Sequence, residues 1–516
     1  MINEQTPSRT YNTITNSLFG VGASIITVAL NFLVRVFLVR ELGAEINGLH
    51  NLFQSVTNVV ALMEMGFSSA MIMHLYKPIK EQDYQMTKSI MAFYRKVYLI
   101  IAVAFMTLCL FVDLFVLEHF VTTTIDMWNV RLYFALFAAS FGLSYPTYHK
   151  TSILYAEQKN RIRSIATAVS ELVFRGLQIV SIIAFHNYII FLILLIFEKI
   201  LANIICKIYV DRRHPYLNNY KMVEVDECIK KSILNTVRPL FISQTASTIQ
   251  QSAKSILVSK LLGNVAIVGY FGNYQLVISA TQLLFSQFGS AITSSFGNLA
   301  ACGDKTRLYV AYRKTTFVMN WIAIILCAGY ISCIQDFIRI IFGNSFVIGF
   351  SSVVLLTTEM CIYLFSIPII SIQNAMALHS KDKEIMILQA VIAIVTSYIL
   401  GNIWGMPGIL MGLLVPELTL TLINKGCVIY KTAFKKTSSL FIKLILIELT
   451  KAVVVITTCY YVSNIINTKS AMITLFLKGI IAIAICCILG LILSFRNPFF
   501  QEIICVVSAR IRRIRK

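Results

Sequence analysis

The sequence is short of charge. Asp, Glu, Lys and Arg make up 13% of its 516 residues, where a soluble domain carries about a quarter. That excludes an ordinary soluble enzyme or binding module. Other absences narrow the field. The 12 cysteines include no C-x-x-C pair and lie scattered through apolar segments. This excludes a disulfide or zinc framework and makes them small core residues. The seven histidines show no H-E-x-x-H spacing, so no metal site is expected. No G-x-x-x-x-G-K-[ST] occurs, so the chain has no nucleotide-hydrolysing site of its own. The apolar run from Ile14 is followed by no small-residue cleavage site. It reads as an uncleaved first span rather than a removed signal peptide.

What is abundant is apolar length. Hydrophobic residues are 57% of the chain, and stretches of about 20 of them, enough to cross a bilayer, recur from end to end. The expected spans are roughly 14–38, 48–76, 91–116, 129–153, 164–185, 188–209 and 237–262. They continue at 265–299, 315–335, 346–375, 384–402, 406–430, 440–465 and 471–495. The fold class is an all-α polytopic membrane protein of about fourteen transmembrane helices. Basic residues set its orientation. They crowd into alternate loops, as at Lys77, Lys80, Lys88, Arg95 and Lys96, or at Lys425, Lys431, Lys435 and Lys436. The opposite loops hold little beyond Arg40, Lys260, Arg339 and Lys469. Cytoplasmic loops are the basic ones, so both termini are expected inside. The net charge of +21 is then topological, and no nucleic-acid partner is expected. The tail "VVSARIRRIRK" is expected to rest on anionic membrane lipids.

A polar stretch between the first two spans, "LVRELGAEINGLHNLF" (38–53), has an echo in "LVSKLLGNVAIVGYFGNYQL" (257–276). Aligning Leu42-Gly43 with Leu262-Gly263 puts Arg40 on Lys260 and, after one inserted residue, Gly48 on Gly269. Downstream, "KEQD…AFYRK" (80–96) matches "CGDK…AYRK" (302–314). This is an internal duplication. The copies begin six spans apart, an even number, so they share one orientation and are related by a pseudo-two-fold along the membrane normal. The chain divides into a six-helix half (1–210), a cytoplasmic linker (211–236), a second six-helix half (237–432), two additional helices (433–495) and a basic tail (496–516).

The first two helices of each half carry polar stripes at helical spacing. Ser24, Thr27, Asn31 and Arg35 share a face of the first span, and Asn51, Ser55 and Asn58 one of the second. Gln244, Ser247 or Thr248, Gln251 and Ser255 do so in the seventh, beside Lys254, and Gln275, Ser279, Gln282 and Ser286 in the eighth. Stripes repeated in both halves point to a hydrophilic cavity more than to helix–helix glue. A basic residue at mid-span costs about 2.5–3.5 kcal/mol on insertion scales, so each needs a reason. Glu171 with Arg175 (i,i+4) and Glu448 with Lys451 (i,i+3) could neutralise locally. Arg35 and Lys254 have no acid at helical spacing, although Glu64 could reach Arg35 from another span. The candidate substrate-binding set is therefore Arg35, Lys254, Arg175, Asn31, Gln251, Asn58 and Gln282. Glu64 is the candidate charge partner or coupling acid, and Arg40 and Lys260 are basic residues at the outer helix ends.

The stretch "RELGAEINGLHNLFQSVTNVVALMEMGFSSAMIMHLYKPIKEQD" (40–83) resembles the first-to-third-span signature of bacterial polysaccharide flippases. These export O-antigen and capsular repeat units and belong to the multidrug/oligosaccharidyl-lipid/polysaccharide exporter superfamily. "SKLLGNVAIVGYFGNYQLVISATQLLFSQFGSAITSSFGNL" (259–299) looks like the second-half counterpart. The resemblance implies a non-enzymatic flippase in the bacterial cytoplasmic membrane. It would move undecaprenyl-diphosphate-linked oligosaccharide by alternating access around a cationic cavity, without a cofactor, with H+ or Na+ coupling left open. It also implies work alongside a polysaccharide polymerase and a chain-length regulator. Basic groups would meet the diphosphate and neutral polar groups the sugar. A flippase for the lipid-linked peptidoglycan precursor is an alternative. So is a multidrug or cation antiporter of the same superfamily, which would be expected to place acids in spans one and seven. A membrane glycosyl-transferring enzyme would be expected to carry a large outer loop, and none is present.

Overall fold

The computed structural model describes residues 9–64, 67–157, 159–217, 227–376, 378 and 383–502. Every regular element among these is a helix. In lipid a backbone must satisfy its own polar groups, and the helix does so within one segment. Ten of the described helices are long and apolar enough to cross a membrane. The first, α1 (Arg9–Val60), bends at Gly43, where φ is +87°, and so supplies both of the first two expected spans. After a 3-10 turn at Ala61–Glu64, the rest of the second expected span lies in α2 (Phe67–Lys80). Next comes α3 (Tyr84–Phe111), whose first turn is capped by Asp83, accepting from the Met86 amide at 2.8 Å.

The fourth expected span, 129–153, is a correction: the chain forms it in pieces, α4 (Met127–Gly142), α5 (Tyr145–Tyr148) and α6 (Thr151–Ala156). Pro146 is the reason. It has no N–H to continue the ladder and is suited to the first turn of a new helix. Then follow α7 (Asn160–Phe185), α8 (Tyr188–Arg213), α9 (Glu227–Leu262), α10 (Val265–Ala301) and α11 (Lys305–Phe342). The rest of the chain forms α12 (Phe350–Ala375), α13 (Lys383–Trp404), α14 (Met406–Pro416) and α15 (Lys425–Thr432), the last two joined by a π-helical stretch. The final helices are α16 (Ser438–Asn464) and α17 (Ala471–Ser494). The basic tail from residue 503 lies outside the described residues, as does the linker between 218 and 226.

The duplication is written in the turns. Gly43 and Gly263 both take positive φ, at +87° and +61°. Gln82 (+55°) and Gly303 (+74°) do so before the third helix of each half. The next residues, Asp83 and Asp304, both cap those helices. His186 (+48°) and Gly405 (+62°) end the fifth helix of each half.

Packing groups the helices into two compact units. One comprises Met1–Gly272 with Met386–Ile409, the other Asn273–Ile385 with Leu410–Lys516. In the first, α1 lies against α7 and α9, and α8 against α4 and α7. Its core is aromatic, with Phe53, Tyr94, Phe134, Phe137 and Phe191 fully buried. In the second, α11 is the hub and packs on α12, α16 and α17. The two additional helices are thus tied to α11 rather than trailing from the chain.

Candidate functional site

The polar stretch after the first span stitches one corner of the first unit. Glu41 lies 2.9 Å from Nε2 of His186. The Glu45 carboxylate accepts from the Thr123 and Thr124 hydroxyls at 2.8 and 2.9 Å. Asn47 donates to the Gly269 carbonyl at 3.0 Å. Gly48 meets the start of α10 so closely that an added Cβ would stand 2.0 Å from the Val265 carbonyl oxygen. A Cβ on Gly269 would in turn stand 2.5 Å from the Ala44 oxygen and 3.1 Å from the Gly48 nitrogen. Only glycine fits on either side. The two glycines are the repeat-equivalent pair, so equivalent residues touch there. The second corner is stitched to the same segment, 119–124: Ser259 donates to Phe120 O at 2.5 Å, Lys260 to His119 O at 2.9 Å, and the Val265 amide to Thr122 O at 3.1 Å.

Arg35 lies behind this contact, two turns before the bend. One guanidinium nitrogen, Nη2, donates to Asn51 Oδ1 at 2.6 Å. The other, Nη1, is buried and has no partner among the described residues. A Cβ on Gly272 would fall 2.9 Å from Nη1, so the glycine makes the room. His50 lies beside it, within electrostatic reach of Arg35 and Arg175, its Nδ1 3.0 Å from the Tyr188 hydroxyl. Glu64, the possible charge partner of Arg35, forms no pair with it among the described contacts. Glu64 instead accepts from Tyr98 at 3.4 Å.

The expected i,i+4 pair of Glu171 and Arg175 is also corrected. Arg175 turns to Glu198 on the neighbouring helix, with Nε 3.0 Å from Oε2. Glu171 instead accepts from Thr27 of the first-span stripe at 2.5 Å. Helix packing overrides sequence spacing here, because α7 and α8 face each other along their length. The Glu448–Lys451 pair forms as its spacing predicts, at 2.9 Å.

The other candidates are spread along the same elements. Asn31 is half-buried on α1, and Asn58 accepts from Gln54 at 2.8 Å. On α9, which packs on α1 and α2, Lys254 is half-buried and Gln251 exposed, while the side chains of Gln244 and Ser247 lie outside the described residues. Gln282 belongs to the second unit and is half-buried. Arg40 and Lys260 are exposed at the corners, Lys260 also standing 5.8 Å from the Phe120 ring centre. Helical spacing does not reveal His50, Gly272 and Glu198 as neighbours of the basic groups. His50 lay in the quoted stretch, but no spacing rule joins it to Arg35 across a bend.

In the second unit, Lys478 is closed by Asp336 at 2.5 Å and Asn464 at 3.0 Å. At the basic end of the first unit, Lys150 pairs with Asp211. There Glu157 pairs with Lys159 at 2.9 Å and His214 at 3.0 Å. Burial works against the Glu157 charge, but hydrogen bonds from His214 and Lys159, with their charges, outweigh it and hold the carboxyl down to about 2.

The chain matches no protein-family model and no curated protein. Solved structures do share its fold. It resembles the lipid II flippase MurJ in an inward closed conformation, with a TM-score of 0.63 and 14% identity over 92% of this chain and 98% of that one. It resembles an inward-facing multidrug resistance MATE family transporter of the MOP superfamily, with a TM-score of 0.58 and 13% identity over 79% of this chain and 96% of that one. An outward-facing MATE transporter matches at 0.55 and 15% identity over 80% and 93%. The chain is a multi-pass, all-helical membrane protein with the fold of these transporters.

Proposed function

We propose that the protein is a flippase for an undecaprenyl-diphosphate-linked oligosaccharide repeat unit, working by alternating access. The observation that carries this reading is Arg35. It is a cation on a polar helix face, anchored by the neutral amide of Asn51, with a buried nitrogen that no described protein group takes. A diphosphate supplies the missing acceptor, and a planar guanidinium can present two donors to it. Lys254 adds positive charge, Arg175 being already closed on Glu198, and Asn31, Asn58 and Gln251 suit sugar hydroxyls. Glu64 and the exposed pair Arg40 and Lys260 are secondary: the acid as a coupling group, the two cations as anchors of the outer helix ends.

A second reading has its own support. The near-complete overlap with a lipid II flippase favours a lipid-linked peptidoglycan precursor as cargo. Both cargoes share the diphosphate, so Arg35 serves either. Proteoliposomes loaded with a lipid-diphosphate oligosaccharide or with a lipid-linked muropeptide separate them by which is translocated. In that assay Arg35→Ala should lower transport at least about tenfold, the loss of roughly one charge-assisted hydrogen bond, and Arg35→Lys should retain part of it. Normal transport by Arg35→Ala sinks the site assignment for both cargoes.

A further inference from the structure

The second unit contains a cleft that the transport reading does not use. It opens between α11, α15, α16 and the turn after α17, and its room is about 40 Å³. A water needs roughly 10–15 Å³ on this measure, so a polar group of several heavy atoms fits and a glycan does not. Arg313 and Asn497 line it together with Asn320 and Glu448, between the aromatic walls of Tyr430 and Phe441. Asn320 follows Arg313 by two helical turns, roughly 10 Å along α11.

The polar lining is only partly satisfied. Asn320 is 1% exposed, and neither its amide oxygen nor its amide nitrogen has a partner among the described residues. Glu448 gives Oε1 to Lys451 at 2.9 Å, while its buried Oε2 has none among them. Buried amides and carboxylates are normally hydrogen-bonded, so this arrangement awaits a group offering both a donor and an acceptor. Around the cleft the chain is basic: Lys314, Lys431, Lys443 and Arg496 flank the lining residues in sequence.

We propose that this cleft binds a phosphodiester or phosphomonoester that carries a hydroxyl or ammonium donor. The phosphate sits against Arg313. The donor-bearing tip reaches inward: an ammonium donates to Glu448 Oε2 and the Asn320 carbonyl while a phosphate-ester oxygen accepts from the Asn320 NH2, and a glycerol tip donates through its two hydroxyls, whose oxygens accept from that NH2. Two sources supply this chemistry, the head group of a membrane glycerophospholipid and a soluble glycerol phosphate. A choline head group carries the phosphate but has no donor, so it is excluded.

The test uses the full chain, delipidated in detergent. Native mass spectrometry follows addition of phosphatidylethanolamine, phosphatidylglycerol or phosphatidylcholine, and in a separate arm glycerol 3-phosphate. The ethanolamine and glycerol lipids should bind at least about tenfold more tightly than the choline lipid, each tenfold corresponding to about 1.4 kcal/mol. Asn320→Leu should remove that preference. Arg313→Gln, at the half-buried rim, should weaken all three lipids while leaving the melting temperature unchanged. It keeps the proposal falsifiable if Asn320→Leu fails to fold. Binding of glycerol 3-phosphate without lipid assigns the soluble source, and binding of lipid alone assigns the head group. Equal binding of the choline lipid, or binding to both variants at wild-type strength, overturns the proposal and leaves a hydrated cavity.

Discussion

The two units treat a cation in the membrane differently. In the second, Lys478 is closed on Asp336 and Asn464, and Lys451 on Glu448. In the first, Arg175 is closed on Glu198, but Arg35 has only the neutral amide of Asn51. In each closed pair the buried cation has its counter-charge. Arg35 is the exception among these four: its described partner is uncharged and one of its nitrogens has none among the described residues, which is the basis for proposing it as the anion ligand.

The largest expected effect breaks a closed pair. Asp336→Ala leaves Lys478 buried without its counter-charge, and removing one partner of a buried pair costs about 3–5 kcal/mol. Its signature is lost thermal stability and lost protein in the membrane. Arg35→Ala leaves only a neutral amide behind, so its melting temperature should stay near wild type while transport falls. A reversal of these two patterns would destroy the comparison.

Next in size is the clasp at Glu157. Its carboxyl is held at about 2, below the ordinary 4.5. It therefore adds stability above about pH 4.5 and loses it as the pH falls towards 2, on the order of 3 kcal/mol in full. The gap in melting temperature between wild type and Glu157→Gln should be widest at neutral pH and narrow steadily below 4.5. A constant gap would mean that the clasp works by packing alone.

Gly48→Ala should cost about 1–3 kcal/mol of the closed corner, as overpacking does. A cysteine placed by Ala44→Cys should then label faster than in the parent protein. The smallest effect belongs to Arg40→Ala. The side chain is solvated, and a surface substitution of this kind stays within about 0.5 kcal/mol. A transport loss matching that of Arg35→Ala would move the anion site to the corner.

Much of this was legible in the sequence. The apolar lengths gave the helical class, and the Leu-Gly echoes located bends whose positive φ now matches in both halves. The i,i+3 pair of Glu448 and Lys451 needed only one helix to be foreseen. The partners of Arg35, Arg175 and Lys478 could not be foreseen this way, because each is set by which helices face one another. Pattern within a helix says nothing of Glu198 across α7 and α8, or of Asp336 across α11 and α17. Nor does spacing join Arg35 to Asn51, since the bend at Gly43 folds one helix back beside the other.

The glycine contact carries a consequence for inheritance. Gly48 and Gly269 mutate independently, yet a side chain at either fills the same gap. The first alanine, at Gly48 or at Gly269, parts the corners, and the second then enters space already opened. The double variant should therefore cost less than the sum of the two single variants, as expected for neighbours sharing one gap. A genome that has lost one of the two glycines has little left to lose with the other.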